Sequence, residues 1–378
     1  MQATELPRLC AERGWSRTRL VVELRNAARR RSATLQTGRE ITLPADDSLK
    51  RMIRQWASGE RGLSELYAEL FSLVFGSVFE PSRPAAEDLG EADHALLERL
   101  ERSEVIDQEL VALFEQQSQS LRLLDRRLGA SQLLDRTEAH VRQMADLLAF
   151  SLPGRLRASL AGTLAAAAAL AGWQAVDLGR LNRAWLFYET AKSAARDSED
   201  LSVIAHVTAE QAYALVDLGR IQDALAQTRY ARQLAGGRVP RVLRAWLCTA
   251  EAEMYATSGD PGLTCRLLGQ AAQHLGCGDD TGLPFLALDE VHFARWRGHC
   301  LARLGSADAL DDLAGALSQM DRAFTRARAG VHCDLALAYS QRGEREAVRE
   351  HARHAAGLAD ATASVRQQRR IRALLNAE

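Results

Sequence analysis

Five glycines recur through the second half of the chain at intervals that constrain its fold more than any other feature. Gly179, Gly219, Gly259, Gly305 and Gly343 are separated by 40, 40, 46 and 38 residues. Asp-Leu-Gly-Arg stands at Asp177–Arg180 and again at Asp217–Arg220, and related turns stand at Ser258-Gly259, Leu304-Gly305 and Arg342-Gly343. Four residues before each glycine lies Ala175, Leu215, Tyr255, Leu301 or Tyr339; twelve after lies Ala191, Ala231, Ala271, Leu317 or Ala355. Glycine ends a helix in the left-handed conformation that it alone adopts cheaply, and a second helix then starts. The small residue twelve positions on is expected where the two helices approach closely. A hairpin of this kind cannot bury its apolar face alone, so successive hairpins must stack.

These residues resemble the tetratricopeptide repeat, with Leu-Gly at the inter-helix turn and Ala in the second helix. The resemblance covers roughly residues 158–360, closest in the first two repeats and faintest in the fourth. The family period is about 34 residues; the longer period here implies extended helices or longer connections. Composition agrees with an all-α chain: Ala, Leu and Arg abound and only eight prolines interrupt 378 residues. Lys occurs only at Lys50 and Lys192, the codon usage of a GC-rich genome. The apolar run Ala158–Trp173, 16 residues of mostly Ala and Gly, is shorter than the roughly 20 of a membrane span. It reads as a buried repeat helix, with no membrane partner.

Upstream, 81–157 reads as a helical linker that begins the solenoid or caps it, with a turn-rich stretch at Pro81–Gly90. Apolar residues fall at helical spacing at Leu110, Leu113, Phe114, Leu121, Leu124 and Leu128, then Leu134, Val141, Met144 and Leu148, with Gly129 between the two helices. The repeat domain is assigned to 158–378, closed by a polar helix within 361–377.

The first 63 residues carry 13 Arg and Lys against 7 Asp and Glu, a net charge of +6; the remainder carries 35 against 42, a net of −7. A basic head on an acidic body fits a nucleic-acid-binding module joined to something else. The head, 1–80, reads as four helices: about Leu6–Arg13, a second capped by Ser16 with Leu20 and Leu24 on one face, a third over Asp47–Ser58, and a fourth over Leu63–Phe75. Leu49, Met52, Ile53 and Trp56 form the third helix's core face. A short ribbon within 33–43 is the one place where strand is expected.

The run Glu12-Arg13-Gly14-Trp15-Ser16 with Leu20 and Leu24 resembles the opening of the lambda-repressor-like (Xre-type) helix-turn-helix. Ile53-Arg54-Gln55-Trp56-Ala57-Ser58-Gly59-Glu60-Arg61 resembles the end of its recognition helix, and Phe75-Gly76 its closing turn. With Gly172-Trp173 through Arg180, the combination resembles actinobacterial regulators that join an Xre-type head to a repeat body. Two features depart from that family. A long segment, Ser32 to Ala45, with Gly38 and Pro44, replaces the short inter-helix turn, and Ala57 stands where Glu is usual. The expected fold is therefore a degenerate helix-turn-helix head followed by a tetratricopeptide-like α-solenoid.

The resemblance implies DNA binding through the third helix in the major groove. With Leu49, Ile53 and Trp56 inward, Lys50, Arg51, Arg54 and Gln55 become the base-reading residues, since Arg and Gln make bidentate contacts to guanine and adenine. Arg17, Arg19, Arg29, Arg30, Arg31 and Arg61 are placed for phosphates. Operator DNA is the expected partner, the protein a homodimer, and the concave repeat face a site for a peptide or small-molecule effector. The last point follows a resemblance to the quorum-sensing peptide receptors of Gram-positive bacteria. The alternative is a protein-interaction scaffold whose head no longer binds DNA.

Enzyme chemistry is not expected. Neither lysine follows a glycine, so no phosphate-binding loop of Gly-Lys-Ser/Thr form exists, and no H-E-x-x-H, G-x-S-x-G or G-x-G-x-x-G occurs. The cysteines at 10, 248, 265, 277, 300 and 333 form no C-x-x-C pair, and no leader pattern opens the chain. They read as reduced thiols in a cytoplasmic protein. His292, His299 and His332 fit no zinc-finger spacing beside them. No cofactor and no metal are expected.

Overall fold

The computed structural model describes residues 2–34, 41–82, 91–103, 106–275 and 283–376, and divides the chain into two units, Met1–Leu97 and Glu98–Glu378. The division falls beyond the boundary expected at residue 80. Residues 83–90 of the expected linker, Gly38 and Cys277 lie outside the described residues. Among those described, the chain is helical throughout; the only β feature is a single bridge between Leu63 and Ser82. Of the stretch where a ribbon was expected, 35–40 lies outside the described residues and the rest forms no strand.

In the first unit, α1 (Leu6–Glu12), α2 (Arg17–Thr34), α3 (Asp46–Ser58) and α4 (Glu65–Phe75) enclose one core. Ser16 Oγ accepts from Arg19 N at 3.2 Å, capping α2. The α3 core face is Leu49, Met52, Ile53 and Trp56, all buried. The Trp56 ring meets Tyr67 and Phe71, and its Nε1 donates to the Gly62 carbonyl at 3.0 Å. A buried indole N–H with a partner carries no desolvation penalty, so Trp56 anchors α3 on both apolar and polar grounds.

After α5 (Glu91–Ser103), the second unit contains α6 (Gln108–Leu128), α7 (Leu134–Phe150), α8 (Arg155–Asp177), α9 (Leu181–Ser198), α10 (Leu201–Glu210), α11 (Ala212–Asp217), α12 (Ile221–Ala235) and α13 (Arg241–Ser258). There follow α14 (Pro261–Leu275), α15 (Glu290–Arg303), α16 (Ala309–Gln319), α17 (Thr325–Gln341), α18 (Arg345–Thr362) and α19 (Val365–Asn376). The five turn glycines all have φ between 68° and 79°. At each, the residue after the glycine donates its N–H to the carbonyl four before it, that of Ala175, Leu215, Tyr255, Leu301 or Tyr339. That bond, with the glycine's own N–H to the residue three back, satisfies carbonyls that a helix end otherwise leaves open.

The turns pair α8 with α9, α10 and α11 with α12, α13 with α14, α15 with α16, and α17 with α18. Ala191, Ala231, Ala271 and Ala355 are fully buried at these pairings. The fourth repeat is shifted: α16 starts four residues after Gly305, not two, leaving Leu317 half-buried and Ala316 buried. There Gly298 makes the close approach, since a Cβ on it would lie 2.6 Å from Leu313.

The first helices of successive pairs also pack on one another: α6 on α8, α8 on α10, α10 on α13, α13 on α15, α15 on α17, and α17 back on α6. The array therefore closes. Arg326 Nη2 reaches Asp125 Oδ2 at 2.6 Å, and Ser364 Oγ donates to Asp177 Oδ1 at 2.6 Å. Gly129 (φ 80°) admits the end of α18 so closely that a Cβ would lie 2.3 Å from the Thr362 carbonyl oxygen. The expected closing helix is α19, but its polar side turns inward: Arg366 pairs with Asp217 and Arg370 with Asp334.

Two expectations need correction. α8 spans 23 residues and is long and apolar enough, by length and composition, to cross a membrane. It is the core helix of its unit, with 78% of its apolar window buried there. On α6, Leu113, Leu124 and Leu128 are exposed, and the buried face includes Ser118, Arg122 and Asp125. Phe114 and Leu121 are buried and Leu110 packs on the core as expected, but the inner face also carries polar groups that the apolar period does not show.

Candidate functional site

In the first unit, the sequence-selected basic residues fall into two groups. Arg17, Arg29, Arg30, Arg51 and Arg54 are exposed and make no ion pair among the described residues. Arg19 pairs with Glu23 at 2.7 Å, and Arg61 lies 5.9 Å over the Trp56 ring. Arg31 is turned to α4, where Glu69 lies 2.7 Å away. Lys50 and Gln55 are half-buried, not fully outward, because the inward face of α3 is broad; Lys50 Nζ is 3.6 Å from Asp47 Oδ1. Two arginines not singled out by the sequence reading hold the scaffold. Arg25 donates to Asp46 Oδ1 at 2.6 Å and to the Pro44 carbonyl at 2.7 Å, fixing the start of α3 to α2. Arg13 caps the Val74 and Phe75 carbonyls at the end of α4. Both partners are distant in sequence, so neither role has a local signal. α2, at 18 residues, is about 27 Å long, and 11 residues separate it from α3.

The second unit holds the more developed site. A chamber of about 260 Å³ lies within the closed array, lined by α6, α8, α10, α11, α13, α15, α17 and α19 with residues 285–287. None of α9, α12, α14, α16 or α18 contributes a lining residue. The chamber carries six arginines, three tryptophans and several buried acids and histidines. The sequence analysis names three of the lining residues, Trp173, His292 and His299, but gives none of them a ligand-binding role, although it expects an effector on this face.

One wall is saturated. Glu253 accepts from Trp296 Nε1 at 2.6 Å and Tyr213 Oη at 3.1 Å, and faces His299 Nε2 at 3.2 Å. The other nitrogen of His299 lies 2.8 Å from Asp334, which also accepts from Arg370. Burial alone would raise both carboxyls, but His299 beside Glu253, and Arg370 and His299 beside Asp334, hold them well below the usual carboxylate range. Arg366, bonded to Asp217 at 3.2 Å, rests 5.6 Å from the Trp173 ring. Arg326 is held by Asp125 and lies 3.6 Å from Asp177.

Other lining groups are less fully paired. Arg122 donates only to Gln119 Oε1 at 2.9 Å, Arg126 stacks 5.0 Å from Phe324, and Arg295 stacks 5.0 Å from Trp296. Burial pulls all three guanidiniums below their ordinary pKa, Arg122 to about 10. Glu210 is pushed up to about 8 by burial, against the pull of Arg122 and Arg326. His206, between Trp246 at 4.6 Å and Phe285 at 4.7 Å, is driven to about 3 by burial and by Arg122. Glu210 Oε2, His292 Nε2 and Arg295 Nε are buried with no hydrogen-bond partner among the described residues.

No group of three or more His, Cys, Asp or Glu among the described residues could hold a metal ion. Cys300 and Cys333 are buried and their thiols pushed up, first by burial, which leaves them poor nucleophiles. No family model, curated protein or solved structure matches the chain.

Proposed function

We propose that this chain is a DNA-binding transcriptional regulator. Its N-terminal unit serves as a degenerate helix-turn-helix of the Xre type, and its body as a closed tetratricopeptide-like array that senses a small molecule in a cytoplasmic, homodimeric protein. The observation that carries the reading is the chamber. Every inner helix contributes to its wall, so a ligand bound there touches all the repeats at once and biases their arrangement by its contacts. The exposed Arg51 and Arg54 on α3, with Arg17, Arg29 and Arg30 on α2, supply the free cations that DNA contact requires.

The size of the chamber favours a small molecule over a peptide. About 260 Å³ lies just below the roughly 300–1,000 Å³ of ordinary small-molecule pockets. An extended peptide would need the inner face that α19 crosses. The scaffold reading is favoured by one observation, the 11-residue connection between α2 and α3, against the usual turn of about 3–4 residues. An electrophoretic shift with random genomic fragments at two salt concentrations decides between them. The regulator selects particular fragments and loses affinity as salt rises; a protein that shifts none, or all alike, is the scaffold.

A further inference from the structure

Resting on the small-molecule reading above, we propose that the chamber's ligand is a flat aromatic acid, its anionic group held by Arg122, Arg126 and Arg295 and its ring by Trp246, Phe285 and Phe324. The argument begins with charge. Of the six guanidiniums in the chamber, Arg326, Arg366 and Arg370 each meet a carboxylate, those of Asp125, Asp217 and Asp334. Arg122, Arg126 and Arg295 meet none within ion-pair range among the described residues. A buried charge without a counter-charge is costly, and a removed partner is felt strongly. The acids near these three act only from beyond ion-pair range: Glu210 and Asp125 on Arg122, Asp125 on Arg126, and Asp334 and Glu253 on Arg295. Three guanidiniums lining one chamber with no acid in direct contact favour an anion.

Their placement converges. Arg122 and Arg126 stand one turn apart on α6, on one face. Phe324 lies between Arg126, 5.0 Å away, and the His292 ring, 4.8 Å away. Arg295 is one turn on from His292, and both Arg295 Nε and His292 Nε2 are buried with no hydrogen-bond partner among the described residues. Planar guanidinium forks match a carboxylate or phosphate in two-bond geometry. Next to this cationic pole, the neutral His206 ring lies tilted against Trp246 and Phe285, with centroids 4.6 and 4.7 Å away. Flat side chains against a positive pole select a flat body over a bulky one.

Glu210 couples the site to protons. Arg122 faces it from α6, Arg326 from α17 and Tyr188 from α9. Burial keeps it protonated up to about pH 8. An anion bound beside it favours the protonated form further, so binding takes up a proton near that pH and weakens as the pH rises through it.

The test uses the purified full chain, with tryptophan fluorescence and isothermal titration calorimetry. Naphthoate and phenyl phosphate are the flat acids, naphthamide the neutral counterpart and inorganic phosphate the bare anion. At least one flat acid is expected to saturate the site, about 10–100-fold more tightly than naphthamide or inorganic phosphate. The tighter of the two acids tells carboxylate from phosphate ester. Arg122→Gln and Arg295→Gln lose a similar factor, with folding checked by circular dichroism melts. Glu210→Gln binds without proton uptake, and Arg8→Ala, an exposed position of the first unit, binds as wild type.

The proposal is overturned if neither acid saturates at millimolar concentration, if inorganic phosphate binds as tightly (an inorganic ion only), or if naphthamide does. Folded Arg122→Gln and Arg295→Gln that bind as wild type overturn it too. Any of these leaves sequence-selective DNA binding untouched, whereas a chain that binds the acid but selects no DNA loses only the regulator reading.

Discussion

Arginine is used in opposite ways in the two units. On α2 and α3 the guanidiniums of Arg17, Arg29, Arg30, Arg51 and Arg54 stand in water. In the chamber, Arg326, Arg366 and Arg370 are withdrawn among tryptophans and locked to acids from other helices. A solvated arginine costs the fold nothing and is free for a partner. A buried pair is a fixed joint: its desolvation offsets much of its attraction, but breaking it by removing one partner is expensive. The chamber adds a third kind, Arg122, Arg126 and Arg295, enclosed by its walls with no acid in ion-pair range among the described residues, and that is the group that asks for a ligand.

The sharpest test of this contrast is Arg370→Ala against Arg51→Ala. The first leaves buried Asp334 with His299 as its remaining direct partner and is expected to cost about 3–5 kcal/mol; the second, on the surface, is expected to stay within about 0.5 kcal/mol. Equal melting temperatures for the two variants would dissolve the distinction. Ala191→Phe and Ala231→Phe should each cost about 1–3 kcal/mol by overpacking the hairpins. Leu317→Phe should cost less, because Leu317 is only half-buried. An unchanged melt in both alanine variants would place those positions away from a helix contact.

On DNA, Arg54→Ala should cost about 1–3 kcal/mol at the selected site and relax its preference. Arg30→Ala should weaken all sequences alike and reduce the salt slope by about one. If both lose affinity without any loss of preference, α3 does not read bases. The smallest effect concerns pH. A carboxyl raised to about 8 in the folded chain holds a proton that the unfolded chain has lost, so its contribution to stability fades as the pH rises toward that value. Wild type should therefore melt at a lower temperature at pH 8 than near neutrality, and Glu210→Gln should show a smaller fall over the same interval.

Much of the fold was legible because it is local. The Schellman-type turns at Gly179, Gly219, Gly259, Gly305 and Gly343, the buried alanines and the α3 core face follow from spacing alone. The chamber was not legible, because its chemistry is assembled from distant elements. Nothing near Asp125 announces Arg326, and nothing near Asp177 announces Ser364. Apolar periodicity was only partly informative on α6: Phe114 and Leu121 face in, but Leu113, Leu124 and Leu128 face out while Arg122 and Asp125 are buried. Of the ten basic or amide residues assigned to DNA, five are exposed and unpaired, as DNA contact requires, while Arg31, Lys50 and Gln55 are partly withdrawn.

Closure changes how such an array can come apart. An open stack of repeats frays from its ends, since each unit leans only on its neighbours and stability adds up along a line. Here the helix carrying Arg326 completes a circuit with the helix carrying Asp125, about two hundred positions earlier. No repeat is terminal, so unzipping has no starting point, and melting should be one concerted transition in place of a series. The same circuit delays assembly: its last joints span the longest loops in the chain and can form only after the repeats between them, which makes closure the slow, high-contact-order step.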